Sequence, residues 1–172
     1  DVLECLPGFF ITNNKINRWQ DSQRNVYQNN YSLDDLIDRL KYVFNLNTIA
    51  DTPHTAFQSG GIDSSLISYL TRPIGLYTVG MKDNNEIAKS RKIASILDIN
   101  INTQTVQKEE FLNLLTEYLK IKKEPVSVPN EILIFKLCKT MNPFHKFFLT
   151  GEGADEIFFG YDKIFRWAYA KD

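Results

Sequence analysis

The sequence predicts an α/β fold: a parallel sheet with helices on both faces, preceded by a short β-hairpin. Three observations carry this expectation. Short apolar runs of strand length alternate with longer stretches of helical periodicity, the order expected of a parallel sheet covered on both sides. One of those runs breaks into Ser59-Gly60-Gly61 and passes directly into a helical pattern. The 172 residues, 43% of them hydrophobic, suffice for one domain with a core of its own.

At the start of the chain, Leu6–Thr12 and Lys15–Trp19 flank Asn13-Asn14, a pair able to supply the positive φ of a tight turn, and read as a hairpin. Residues 20–31 are polar and rich in Asn and Gln, a linker by composition. The chain therefore divides into a hairpin and linker segment (1–31) and a globular domain (32–172). Ser32-Leu33-Asp34-Asp35 is a capping box with aspartate at its fourth position. Leu33, Leu36, Ile37, Leu40, Val43 and Phe44 follow at helical spacing and predict a helix over 33–46 with one buried face.

Thr55–Gln58 is the strand that feeds the glycine turn, and Ile62–Leu70 the helix that leaves it, ended by Pro73. Ile74–Gly80 is an almost continuous apolar run, a strand buried on both faces. A helix over 84–97 (Ile87, Ala94 and Leu97 on one stripe), a strand over 99–106 and a helix over 108–120 complete the alternation. Beyond Pro125 and Pro129 come a helix at about 131–141, a strand at His145–Thr150 and a final helical region.

Composition excludes several classes. A net charge of −1 offers no basic surface for nucleic acid, and no apolar run reaches the roughly 18 residues of a membrane span. Cys5 and Cys138 lack any paired spacing and fit a reducing, cytoplasmic setting. The chain opens on Asp1 without a signal-peptide pattern and stops within a helical run, so it reads as a piece of something longer.

In parallel sheets, ligands bind beyond the carboxyl ends of the strands. Three predicted strands end there in Ser59-Gly60-Gly61, in Gly80 and in Thr150-Gly151-Glu152-Gly153, and these loops are expected to converge on one crevice. Consecutive glycines before a helix let backbone approach a ligand, and the helix start favours an anion such as phosphate. Asp63 in that first turn would repel phosphate unless a divalent cation lay between them, so the turn implies a nucleotide with Mg²⁺. Gly-Lys-Ser/Thr is absent, which excludes the common nucleoside-triphosphate loop. The simpler alternative is an ordinary strand-to-helix turn.

The second motif, Thr150-Gly151-Glu152-Gly153-Ala154-Asp155-Glu156, gathers three carboxylates that are costly together unless cations or amines sit among them. The bland alternative is an acidic cap on the last helix, where Asp155 and Glu156 favour the N-terminal dipole.

Ser-Gly-Gly-Ile-Asp-Ser resembles the pyrophosphate-binding loop of ATP pyrophosphatases, of the adenine-nucleotide α-hydrolase type. Together with the acidic motif it resembles the synthetase domain of glutamine-dependent asparagine synthetases, a family that also holds β-lactam synthetases and lasso-peptide cyclases. Leu6-Pro7-Gly8 and Trp19-Gln20-Asp21 look like the family's segment between glutaminase and synthetase domains. Val79-Gly80-Met81 with Glu86 and Ala88 looks like its second nucleotide-contacting strand.

The resemblance implies adenylation of a carboxylate, aspartate first, with release of pyrophosphate, then attack by ammonia or an amine. It carries Ser59, Gly60, Gly61, Asp63 and Ser64 onto the pyrophosphate of ATP, and Gln58, Val79, Gly80, Thr150 and Gly151 onto the nucleotide. Asp63 and Asp155 match Mg²⁺ ligands. Glu152 matches the catalytic glutamate that orients the acyl-adenylate and takes a proton from the amine. A glutamate there is similar to asparagine synthetases, where β-lactam synthetases resemble one another in having tyrosine.

The sequence departs from the pattern at Gln58, usually leucine, and at Phe159, usually glycine. The family's catalytic lysine comes from beyond its acidic motif, and Lys163 and Lys171 lie too close to match it. The partners implied are a glutaminase domain or a second chain that supplies this part. Two alternatives stay open: a nucleotide-binding module or partner subunit without chemistry of its own, and a lasso-peptide cyclase or sugar amidotransferase. His54 and His145 read as structural, and Lys120, Lys122 and Lys123 as a solvated helix end. The aromatic C-terminal third reads as core, or as an association surface where it is exposed.

Overall fold

The computed structural model describes residues 5, 8–13, 15–18, 31–82, 86–158 and 160–161. The chain divides into two compact units, one ending at Leu36 and one from Ile37 onward.

In the first unit, β1 (Phe9–Thr12) pairs antiparallel with β2 (Lys15–Arg18), with Phe10 opposite Asn17 and Thr12 opposite Lys15. Asn13 takes φ 49°, the left-handed conformation that the turn requires and that asparagine tolerates. Leu6, Pro7, Asn14, Trp19 and the linker up to residue 30 lie outside the described residues. The capping box forms as expected: Ser32 N–H donates to Asp35 Oδ2 at 2.8 Å, and Asp35 N–H donates back to Ser32 Oγ at 3.1 Å. These bonds from Ser32 hold the Asp35 carboxyl below its ordinary range.

The box opens α1 (Leu33–Asn47). Its predicted apolar stripe is present but not one of its residues is buried, and Leu33 is 71% exposed. The expectation of a buried face is corrected here. The later residues of the stripe, Leu40, Val43 and Phe44, are half-buried, whereas Leu33, Leu36 and Ile37 are exposed.

That sheet has four parallel strands in the order β5-β4-β3-β6: β3 (His54–Phe57), β4 (Leu76–Met81), β5 (Ile101–Val106) and β6 (Phe147–Leu149). Alternate side chains of β4 divide the core. Leu76 packs with Ala56 and with Ala94 of α3 (Glu86–Leu97). Val79 and Met81 face the cluster of Val106, Leu114 and Ile132 on the other side, where α4 (Lys108–Lys122) and α5 (Asn130–Thr140) lie. Helix α2 (Ile62–Thr71) packs on β3 and against α3. Arg72 and Lys123 close α2 and α4 in the left-handed conformation, at φ 48° and 58°.

Strand ends differ from expectation because pairing fixes them. β3 starts one residue early, since His54 pairs with Phe147, and ends at Phe57, although Gln58 N–H still donates to Tyr77 O at 2.8 Å. β6 is three residues long, not six. A short helix, α6 (Ala154–Phe158), follows it. No helix among the described residues is long and apolar enough to cross a membrane.

Candidate active site

Strands β3, β4 and β5 run outward in sequence order, and β6 returns to the opposite side of β3. The order therefore reverses between β3 and β6, and connections leaving their carboxyl ends diverge there into a crevice. The turn after β3 carries the first motif and the turn after β6 the second.

The β3–α2 turn is held from within. The Ser64 hydroxyl donates to Gln58 Oε1 at 2.5 Å, Gly60 N–H donates to the same oxygen at 3.0 Å, and the Ser59 and Ser64 hydroxyls lie 3.0 Å apart. Gly60 has φ +81°, and a Cβ there would stand 2.6 Å from Lys89 Cβ, so α3 presses against the turn and only glycine fits. Ser90, wholly buried on α3, donates to Gln58 O at 2.8 Å and lies 3.2 Å from Thr78 Oγ1. Gly61 caps α2 with extended backbone and no side-chain acceptor, leaving the N–H groups of the first turn without a cap.

The β6 turn crosses to meet it. A Cβ on Gly151 would come 3.3 Å from Asp63 Cβ and 3.3 Å from Ser64 N, so its backbone lies directly on the first turn of α2. Glu152 N–H bonds Thr150 Oγ1 at 3.4 Å, and Gly160 N–H bonds Asp155 O at 3.0 Å. The Tyr161 hydroxyl donates to Glu156 Oε1. That bond lowers the Glu156 carboxyl and, with burial and nearby carboxylates, pushes the Tyr161 phenol up to about 12.

Between the two turns lies a cavity of about 370 Å³. Of the predicted residues, Gln58, Ser59, Asp63, Ser64, Val79, Thr150, Gly151, Glu152 and Asp155 line it. Gly60, Gly61 and Gly80 do not: the side of Gly60 where a Cβ would stand faces Lys89 of α3, although its N–H points to Gln58, and Gly80 is buried in β4. Of the three expected strand ends, those of β3 and β6 meet at the cavity, whereas β4 reaches it through Tyr77, Thr78 and Val79 of its body and not through Gly80. Sequence reasoning missed the opposite wall, where α5 supplies Asn130, Leu133, Ile134 and Leu137. Phe57 and Phe148, also missed, stack at 4.7 Å beside the β3–β6 switch. Glu152, Asn130 and Ile134 also border an adjoining hollow of about 590 Å³, so Glu152 stands where the two spaces meet.

Electrostatically the cavity is one-sided. Asp63, Glu86, Glu152, Asp155 and Glu156 line it, and none of the described lining residues is Lys, Arg or His. Lys136 and Lys139, on α5, are instead paired with Glu110 and Glu117 on α4. Such a wall attracts cations or amines and resists a bare polyphosphate. Among the described residues no group of three or more His, Cys, Asp or Glu is placed to hold a metal alone. Magnesium is commonly held by one or two carboxylates plus substrate phosphates, and a pair such as Asp63 and Asp155 fits that pattern.

The histidines take structural places: His145 Nδ1 lies 2.6 Å from the Tyr77 hydroxyl, and His54 packs against Phe147. Lys122 is not simply a solvated helix end, because Glu131 takes its ammonium at 2.6 Å. Phe144 is 82% exposed, whereas residues 162–172, which include Phe165, Trp167 and Tyr169, lie outside the described residues.

The asparagine synthase family matches residues 35–172, both turns included. The chain belongs to that family. Among its curated relatives, asparagine synthetase (glutamine-hydrolyzing) 1 of Bacillus subtilis strain 168 is 29% identical over 124 residues. The match covers 69% of this chain and 20% of that protein, so the chain spans about a fifth of the length of this relative. Among solved structures, the NH3-dependent NAD synthetase of Campylobacter jejuni superposes with a TM-score of 0.50 at 12% identity, covering 76% of this chain and 61% of that one. This likeness supports the parallel-sheet fold of the asparagine synthase family member, and the fold alone.

Proposed function

We propose that this chain forms the ATP-binding and adenylating part of an ATP-dependent amide-forming ligase. The carboxylate, aspartate by family likeness, attacks the α-phosphorus of ATP; the bond to the β-phosphate oxygen breaks, leaving an acyl-adenylate and pyrophosphate. Ammonia or an amine then attacks the acyl carbon and AMP departs. The observation that carries the reading is the contact of Gly151 with Asp63 and Ser64, which joins two motifs some ninety residues apart around one cavity.

In this reading the uncapped first turn of α2 and the Ser59 and Ser64 hydroxyls receive the pyrophosphate end. Val79, Thr150 and Gly151 border the nucleoside. Asp63 and Asp155 hold magnesium, which when bound offsets charge on the departing pyrophosphate. Glu152, at the meeting of the two hollows, takes the proton that the attacking amine loses. A further cationic group for the transition state is assigned to a segment outside the described residues or to a partner chain, and ammonia to a glutaminase domain or to free ammonium. The test is release of AMP and pyrophosphate from Mg·ATP with aspartate and ammonium, each omitted in turn. Dependence on both supports the ligase; ATP binding without AMP supports a nucleotide-binding module instead.

A further inference from the structure

The β3–α2 turn satisfies its own donors. Ser59 N–H ends on Ser64 Oγ at 3.3 Å, Gly60 N–H on Gln58 Oε1 at 3.0 Å and Gly61 N–H on Ser59 Oγ at 3.2 Å. The Ser64 hydroxyl also donates to Gln58 Oε1, at 2.5 Å. A backbone N–H and a hydroxyl therefore converge on one carboxamide oxygen. Gln58 is 1% exposed, its amide nitrogen reaches Ser68 Oγ at 3.5 Å, and its own carbonyl accepts from Ser90 at 2.8 Å. The side chain is held at both atoms of its carboxamide, and its backbone by Ser90.

A glycine N–H and a serine hydroxyl aimed at one oxygen form the kind of arrangement that binds a phosphate oxygen at a helix start. The carboxamide is neutral and a phosphate oxygen is charged, so the second acceptor takes stronger bonds from the same donors. We propose that the Gln58 carboxamide is an internal surrogate for a phosphate oxygen: it holds Gly60 N–H and Ser64 O–H before a pyrophosphate-bearing ligand arrives and yields them to it. Gln58 thereby sets the affinity of the turn. The inference rests on the pyrophosphate reading of the site. It also fixes a sign. A merely structural Gln58 would, when replaced, loosen the turn and weaken binding; a surrogate, when replaced by an apolar residue, leaves both donors to the ligand and strengthens it.

The test is calorimetric titration of the wild-type protein, Gln58→Met, Gln58→Leu and Gln58→Glu with magnesium pyrophosphate. Thermal denaturation without ligand shows which variants fold, and the two apolar variants keep the sign from hanging on one substitution. Release of a surrogate acceptor gives Gln58→Met or Gln58→Leu about tenfold tighter binding, alongside a lower Tm without ligand. Gln58→Glu, whose carboxylate keeps both donors and repels the anion, binds at least about tenfold more weakly. Equal or weaker binding by the folded apolar variants, with wild-type binding intact, overturns the surrogate and leaves the pyrophosphate reading standing. No binding by the wild-type protein at millimolar pyrophosphate overturns both.

Discussion

Gly151 and Asp63 meet across the point where the strand order reverses: a Cβ on the glycine would stand 3.3 Å from the aspartate Cβ and 3.3 Å from the next backbone nitrogen. The atoms it would press are the first turn of α2, where backbone has little room to yield. Gly151→Val is therefore expected to cost about 1–3 kcal/mol of stability by overpacking. It should also separate the two turns enough to weaken ATP binding. Denaturant unfolding and nucleotide titration of the same variant check the two effects together.

Glu152→Gln keeps the size of the side chain and removes its ability to take a proton. ATP binding is expected to stay within about twofold of wild type, because Gln still fills the corner between the two hollows, while amide formation falls by roughly 10² or more. Product analysis beside ATP titration separates these. Equal loss of both would make Glu152 a residue of the binding wall and nothing more.

Glu131, which borders the adjoining hollow, predicts an acid-dependent stability. Lys122 Nζ at 2.6 Å, the Tyr118 hydroxyl at 3.0 Å and the N–H groups of Ser127 and Val128 all end on its carboxylate, which brings it from 4.5 to about 2. A carboxyl whose folded value lies below its unfolded value stabilises the protein above the unfolded value and loses that contribution as pH falls through the folded one. The loss from this group therefore runs from about 4.5 down to about 2. Glu131→Gln should flatten the stability profile in that window, as read by Tm against pH. An unchanged slope would contradict it.

Much of the fold was legible because its signals are local. The alternation of strand and helix needs only side-chain periodicity, and the Ser32–Asp35 box needs only residues three apart. The two motifs were legible through their joint resemblance to the family's pyrophosphate loop and acidic motif, since each alone also reads as a turn or a helix cap. What escaped was set by tertiary contact. The stripe of α1 reads the same whether or not something covers it. The α5 wall, Asn130 to Leu137, shows an apolar face without saying that part of it borders a cavity. Strand ends depend on partners, as His54 with Phe147 shows. Gln58 is plain in the sequence, but its turn inward to Gly60 and Ser64 is a property of the closed loop.

The central claim is that an acidic cavity binds ATP through magnesium held by Asp63 and Asp155. Carboxylates without a metal between them and the phosphates would oppose binding. The most direct measurement is calorimetric titration of ATP into wild-type protein, Asp63→Asn and Asp155→Asn, each with magnesium and with EDTA. The account predicts binding by the wild-type protein with magnesium, its loss in EDTA, and a drop of about tenfold or more in each variant when magnesium is present. ATP binding that persists in EDTA and is unchanged by both substitutions would contradict it.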